Sequence, residues 1–234
     1  MTVFACDSSG RTASAAILMD NHIIAKELVD EGLTHSEMLM PLCDRVFKSA
    51  RLSPDDIDYF SVSCGPGSFT GLRIGIGLIK GIALAADKPC IAVPTMEALA
   101  LSCSGTDSTV IPVCDARRGR VFCSSFSGLP DVVRLTKDMI LEIEKLPELF
   151  GTGANLFVGD ASEMCYNYFR DRYHVSAGQH FVDSEYVARA AVKHITAGRE
   201  IPAELLNPFY LQLSQAERDL QKAKGNIAND SVSK

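Results

Sequence analysis

Apolar and polar positions along the first hundred residues alternate between short strand-like runs and longer helical ones. Residues 2–7 (TVFACD) are almost wholly apolar and predict a buried strand; 13–19 and 22–29 give two more, with Asp20-Asn21 as the hairpin corner. Thr34-His35-Ser36-Glu37 has the form of a capping box. Behind it, apolar residues at helical spacing predict a helix to about Ala50, kinked at Pro41. A strand over 57–63, a helix over 71–86, a strand over 90–93 and a helix over 95–103 complete the order β-β-β-α-β-α-β-α.

The pattern then begins again. "VIPVCDARRGRVFCSSF" from Val110 echoes "TVFACDSSGRTASAAIL" from Thr2, so Cys6-Asp7 returns as Cys114-Asp115 at the end of an apolar run. Residues 132–135 predict a third strand, 137–145 a helix, 155–158 a strand, and 160–171 and 183–197 two further helices. The expectation is an α/β chain built twice from a β-β-β-α-β-α unit. Residues 1–107 would form an N-terminal lobe and 108–213 a C-terminal lobe; 214–234, poor in apolar residues, reads as a flexible tail.

Composition narrows the class. A chain of 234 residues with 47% hydrophobic content can bury a core of this size. The net charge of −6 argues against an independent nucleic-acid binder. The most apolar stretch, 70–86, is short for a membrane span and carries Arg73 and Lys80, and MTVFACDSSG has no leader pattern. Eight cysteines stand singly in apolar segments, never as C-x-x-C, the usage of buried thiols in a reducing compartment. These features predict a cytoplasmic protein with no membrane partner.

The glycine-rich stretch CGPGSFTGLR (64–73) leads from a strand into a helix. Gly65-Pro66-Gly67 must turn sharply, and Ser68 or Thr70 can cap the helix, leaving backbone N–H groups an anion could use. The P-loop spacing fails, because no lysine follows at the required position, and the dinucleotide fingerprint fails because it ends on Thr70. A tight strand–helix turn is the bland alternative. Further on, Gly71, Gly75, Gly77 and Gly81 each cost roughly 1 kcal/mol relative to alanine inside a helix. Gly77, Gly81 and Ala85 share a stripe beside apolar Leu78 and Ile82.

Together with Met38, Leu39, Leu42 and Val46 on the first helix, this is more apolar helix surface than one lobe needs. Met38, Leu39, Leu42, Val46, Arg73, Gly77, Leu78 and Gly81 are therefore the candidate partner face, with Met38 and Leu42 expected on its outer side. A second candidate set, for nucleotide or for the interface, is the loop residues Asp7, Ser8, Ser9, Gly65, Gly67, Ser68, Thr70, Asp115, Arg117 and Arg118. The bland readings are an Asp7 that caps its own turn and arginines on a solvated hairpin tip.

With Asp7-Ser8-Ser9, His35-Ser36-Glu37, GPGSFTGLRIG, KGIALA, VPTMEALA (93–100), DARRG (115–119) and NPFYL (207–211) in this order, the sequence resembles the TsaB (YeaZ) family of bacterial tRNA threonylcarbamoyladenosine synthesis. The likeness covers roughly residues 1–213, although Gln212 stands where the family commonly has arginine. It implies an actin-like (ASKHA) two-lobed fold and a non-catalytic subunit that binds and activates a catalytic paralogue, TsaD. That paralogue moves threonylcarbamoyl onto the adenosine beside the anticodon. The resemblance also implies an ATPase partner, TsaE, a homodimer through the same helical face, and tRNA contact only through the complex. It implies no cofactor of this chain's own, with ATP or ADP at the interface of the complex. The paralogue holds a metal through an H-x-x-x-H pair; the matching positions here are Thr95 and Leu99, so no metal site is expected. The alternative is an actin-like enzyme in its own right, a metal-dependent protease-like protein or a small-molecule kinase. The missing histidines oppose the first version, and the alanine and arginines of the Asp115 turn oppose the second.

Overall fold

The computed structural model describes residues 1–30, 35–178 and 181–212. The predicted cap at Thr34 and the predicted tail lie outside them.

The first sheet is built from β1 (Thr2–Asp7), β2 (Ala13–Met19), β3 (His22–Val29), β4 (Tyr59–Gly65) and β5 (Cys90–Pro94), in spatial order β3-β2-β1-β4-β5. β1 is antiparallel to β2 and parallel to β4. Side chains alternate along β1, so Phe4 and Cys6 face one side while Val3 and Ala5 face the other, and both sides are fully buried. The outer side is covered by α1 (His35–Ala50) and α2 (Phe69–Ala85). In α1 the buried residues are Leu39, Leu42, Cys43, Val46 and Phe47, the three-four spacing of one helix face, and the helix runs unbroken through Pro41.

The second sheet repeats the first. β6 (Thr109–Arg117), β7 (Arg120–Cys123), β10 (Met139–Glu142), β11 (Asn155–Val158) and β12 (Val175–Ala177) lie in the order β10-β7-β6-β11-β12, strand for strand the same topology. The third strand is therefore Met139–Glu142, within the span for which the sequence predicts a helix. Met, Leu and Glu favour helix, but this is a half-buried edge strand, where cross-strand pairing with β7 outweighs intrinsic preference. The segment expected as that strand instead forms a side hairpin of β8 (Phe126–Ser127) and β9 (Val133–Arg134). A 3-10 turn, Ile143–Leu149, stands where a counterpart of α1 would be, and α4 (Ser162–Phe169) is the counterpart of α2.

Between the sheets lie α3 (Thr95–Leu101) and α5 (Ser184–Thr196). The boundary expected after residue 107 assigns α5 to the second lobe, yet it packs on β1, β2, β4 and β5 of the first. Val187, Ala188, Ala190 and Ala191 meet Val3, Ala5, Leu18, Ile91 and Val93. The helix start is tied down by polar contacts: Ser14 Oγ lies 2.7 Å from Ser184 Oγ, and Lys26 Nζ donates to Asp183 and Glu185 at 2.9 and 2.8 Å. The chain stays on the first lobe afterwards, pairing Ile201 with Cys90 and donating from Phe209 N to the Cys64 carbonyl at 2.7 Å.

The glycines of α2 divide into two kinds. At Gly71 a Cβ would collide with the Ser8 carbonyl oxygen, and at Gly75 with the Ser8 hydroxyl. Ser8 Oγ also donates to the Gly71 carbonyl at 2.8 Å, so these two glycines let the helix lie against the turn after β1. At Gly77 and Gly81 a Cβ would meet nothing within 4 Å among the described residues, so alanine at either would not disturb the lobe. Gly71→Ala is expected to destabilise the fold by about 2 kcal/mol through overpacking, while Gly77→Ala should stabilise it by up to about 1 kcal/mol. Chemical denaturation of the two variants beside the parent checks both signs.

Candidate functional site

The central strand of each sheet carries, at or near its C-terminal end, an aspartate that closes a turn on itself. Asp7 accepts from Ser9 Oγ at 2.7 Å and from Ser9 N at 3.3 Å, and Asp115 accepts from Arg117 N at 2.7 Å. The turns also differ. Asp7 and Ser8 are sealed inside the first lobe, with Asp7 showing no exposed surface. Asp115 lies open, its backbone N–H bonded to Asp160 at 2.9 Å. Burial pushes the Asp7 carboxyl up to about 6, although the Ser9 hydroxyl and backbone N–H and the nearby His35 ring pull it down.

Between the two turns opens a cleft of about 630 Å³. One wall carries Ser9, Gly67, Ser68 and Thr70, and the other carries Asp115, Arg117 and Arg118. Of the predicted loop set, Asp7, Ser8 and Gly65 stand behind the wall instead of lining it. Gly65, at φ +122°, lies against the Phe209 carbonyl, where a Cβ would not fit. Ser68 caps α2 by accepting from Gly71 N at 3.3 Å, so the helix N-terminus faces the cleft. Opposite, Arg117 and Arg118 adopt left-handed conformations at φ 65° and 59°, ahead of Gly119 at 72°. No ion pair of either guanidinium is formed among the described residues. The arrangement offers positive charge on two sides of one cavity, with Asp115 and Asp160 between.

Sequence reasoning missed Asp160 and the arm at Phe209–Gln212, both of which border the cleft. Asp160 had a signal: FVGDAS after β11 parallels CGPGS after β4, and Gly159, at φ 108°, repeats the positive φ of Gly65. The arm is tied on by rings. Tyr210 stacks on Phe69 at 4.8 Å, Arg73 Cζ lies 4.0 Å over the Phe69 ring, and Arg73 Nε donates to Tyr210 Oη at 2.9 Å.

The proposed partner face divides in the same manner. Leu39, Leu42 and Val46 are buried in the core beneath α1, so the expected outer-face position of Leu42 is corrected; Met38 is half-buried. The exposed apolar residue of α1 is Met40, at 55%. On α2, Arg73, Gly77 and Gly81 are exposed with Leu84, at 52%, and Leu78 is half-buried.

The metal positions do not fit a metal. Thr95 is fully buried with no partner for its hydroxyl, and Leu99 is buried in apolar packing. Among the described residues no three His, Cys, Asp or Glu side chains cluster as ligands, and no helix is long and apolar enough to cross a membrane.

A family model described as TsaD, tRNA N6-adenosine threonylcarbamoyltransferase, matches residues 32–172. The tRNA threonylcarbamoyladenosine biosynthesis protein TsaB of Bacillus subtilis (strain 168) is 36% identical over 122 residues, 52% of this chain and 53% of that protein. The protein of the same name from Escherichia coli (strain K12) is 32% identical over 129 residues, 54% of this chain and 55% of its own length. The chain thus spans about half the length of the curated relatives it matches. YeaZ from Pseudomonas aeruginosa superposes with a TM-score of 0.78 at 23% identity, over 90% of this chain and 99% of that one. The ethanolamine utilization protein EutJ from Carboxydothermus hydrogenoformans gives a TM-score of 0.51 at 10% identity, over 81% and 90% of the two chains. With the duplicated sheets, these likenesses make the fold a two-lobed α/β fold of the actin-like class.

Proposed function

The chain belongs to the TsaB/YeaZ family, and on that premise we propose that it is a non-catalytic subunit in the synthesis of tRNA threonylcarbamoyladenosine, binding the catalytic paralogue TsaD through the outer helices of its first lobe. The observation that carries this reading is the pair Gly77 and Gly81. Both weaken α2, neither is required by packing among the described residues, and both lie on an exposed stripe with Arg73 and Leu84. Small residues on an exposed helix let a second helix come close. The same face would serve a second copy of the chain, so homodimer and heterodimer compete. TsaE joins this reading as a further partner of the assembly, and tRNA is bound by the assembled complex, to which this chain can add contacts of its own.

For catalysis, the reading assigns this chain no reacting group. Thr95 and Leu99 support it, since neither offers the ligand chemistry that a metal pair needs. Nucleotide is assigned to the assembly, with ATP or ADP placed at the partner interface and the cleft arginines of this chain available to its phosphates.

Met40→Glu and Leu84→Glu, made separately, test the interface. Both positions are exposed, so the variants should stay folded, and a charge buried at a helix contact should weaken capture of co-expressed TsaD at least about tenfold. Folded variants that capture TsaD as well as the parent would move the interface away from these helices.

A further inference from the structure

Half of the chain's six tyrosines, Tyr166, Tyr168 and Tyr173, fall in YNYFRDRYH, residues 166–174, and the chain has no tryptophan. This segment forms the end of α4 and the turn after it, on the outer side of the second sheet and away from the proposed partner face. Phe169 is buried and anchors it. The Tyr173 ring stands edge-on to Phe169 at 5.6 Å and to Phe150 at 5.1 Å, and the Tyr168 ring meets Phe169 at 4.9 Å. These contacts fix the rings while leaving Tyr168 41% and Tyr173 42% exposed. Fixed, half-open rings present aromatic surface with little ordering entropy left to lose on binding.

The charges beside the rings are mostly positive. Within the segment Arg170 and Arg172 are exposed, against one carboxylate, Asp171, which meets Arg170 at 4.0 Å. Arg172 Cζ lies 5.4 Å from the Tyr168 ring centre, and Arg172 Nη2 donates to the Tyr168 carbonyl at 3.5 Å. Glu163, at the opposite end of α4, faces the cleft side. In a chain of net charge −6, this is a local reversal of sign around exposed aromatic rings.

We propose that Tyr168 and Tyr173 stack unpaired bases of a single-stranded RNA segment while Arg170 and Arg172 hold the flanking phosphates. Every base has a flat face and every nucleotide one phosphate, so rings and guanidiniums alternating along one exposed segment suit a single strand better than a duplex, whose bases are stacked away. The choice of RNA over DNA rests on the tRNA reading above; the stacking surface itself does not.

With no tryptophan present, tyrosine emission reports stacking directly. Full-length protein is titrated with a twelve-nucleotide oligouridylate, following tyrosine quenching and the anisotropy of labelled RNA. The expected result is quenching with saturable binding that weakens steeply as salt rises from low to about 200 mM. Tyr168→Ala should weaken binding about tenfold and remove much of the quenching, and the double variant Arg170→Glu/Arg172→Glu should abolish it. Circular dichroism shows whether each variant remains folded. The proposal is overturned by absence of binding at low salt, by binding that survives both variants, or by equal binding of a duplex of the same length. Preferential binding of an acidic peptide would overturn it too, making the patch a protein-docking surface. The double variant should still capture TsaD, so failure here and failure of the partner reading are separate results.

Discussion

Leu42→Glu is expected to unfold the protein, whereas Met40→Glu, two residues away, should leave its stability almost unchanged. Leu42 has no exposed surface and lies in the cluster that joins α1 to Phe4, Phe60 and Ile79. Glutamate there removes the packing of a buried leucine and places a charge where no cation can reach it, a combined loss of roughly 5 kcal/mol. That is comparable with the whole stability of many domains. Met40 is 55% exposed, and substitution at such a site usually changes stability by less than about 0.5 kcal/mol. Expression in soluble form and a thermal melt of both variants make the comparison. A folded Leu42→Glu protein with an unchanged melting temperature would mean that the face of α1 is assigned the wrong way round.

The second large effect concerns Asp7, and it should appear as stabilisation. Its folded pKa of about 6 lies above the ordinary carboxylate value of 3.8, so the folded state holds the proton more tightly than the unfolded chain. The carboxyl therefore does not oppose folding below about pH 4. Its penalty grows as the pH rises toward 6 and stays constant above that, reaching about 3 kcal/mol. Asp7→Asn keeps an acceptor for the Ser9 hydroxyl without the charge. It should stabilise the protein by up to that amount at pH 7.5 and by almost nothing at pH 4. Urea unfolding at the two pH values measures it; equal stability of parent and variant at pH 7.5 would show that the buried carboxylate is compensated.

Much of this molecule is written plainly in the chain. The strands of the first sheet were legible because each is a short apolar run closed by a turn signal such as Asp20-Asn21, and the repeat was legible because Cys-Asp recurs at the end of the central strand. What the spacing could not give was direction. Leu39, Leu42 and Val46 form an apolar stripe whether the stripe meets the chain's own sheet or another protein, and only the position of the sheet decides. The four glycines of α2 look alike in sequence; Gly71 and Gly75 are explained by Ser8, more than sixty residues earlier, and Gly77 and Gly81 by nothing among the described residues. Met139–Glu142 was read as helix because its residues favour helix, and its pairing with β7 is a nonlocal fact. The cleft shows the same division: Asp115 and the arginines announce themselves, while Asp160 arrives from a strand forty residues on.

The return of α5 to the first sheet has a consequence in time. A nascent chain leaves the ribosome from its N-terminus, so the five strands of the first sheet and both outer helices emerge while the inner cover of that sheet is still unmade. Val3, Ala5, Leu18, Ile91 and Val93 have no partner in Val187–Ala191 until α5 has been synthesised. The first half thus cannot finish folding first and wait for the second. Completion of the first lobe waits for α5, and until then part of an apolar sheet face stands open to chaperones or to other nascent chains.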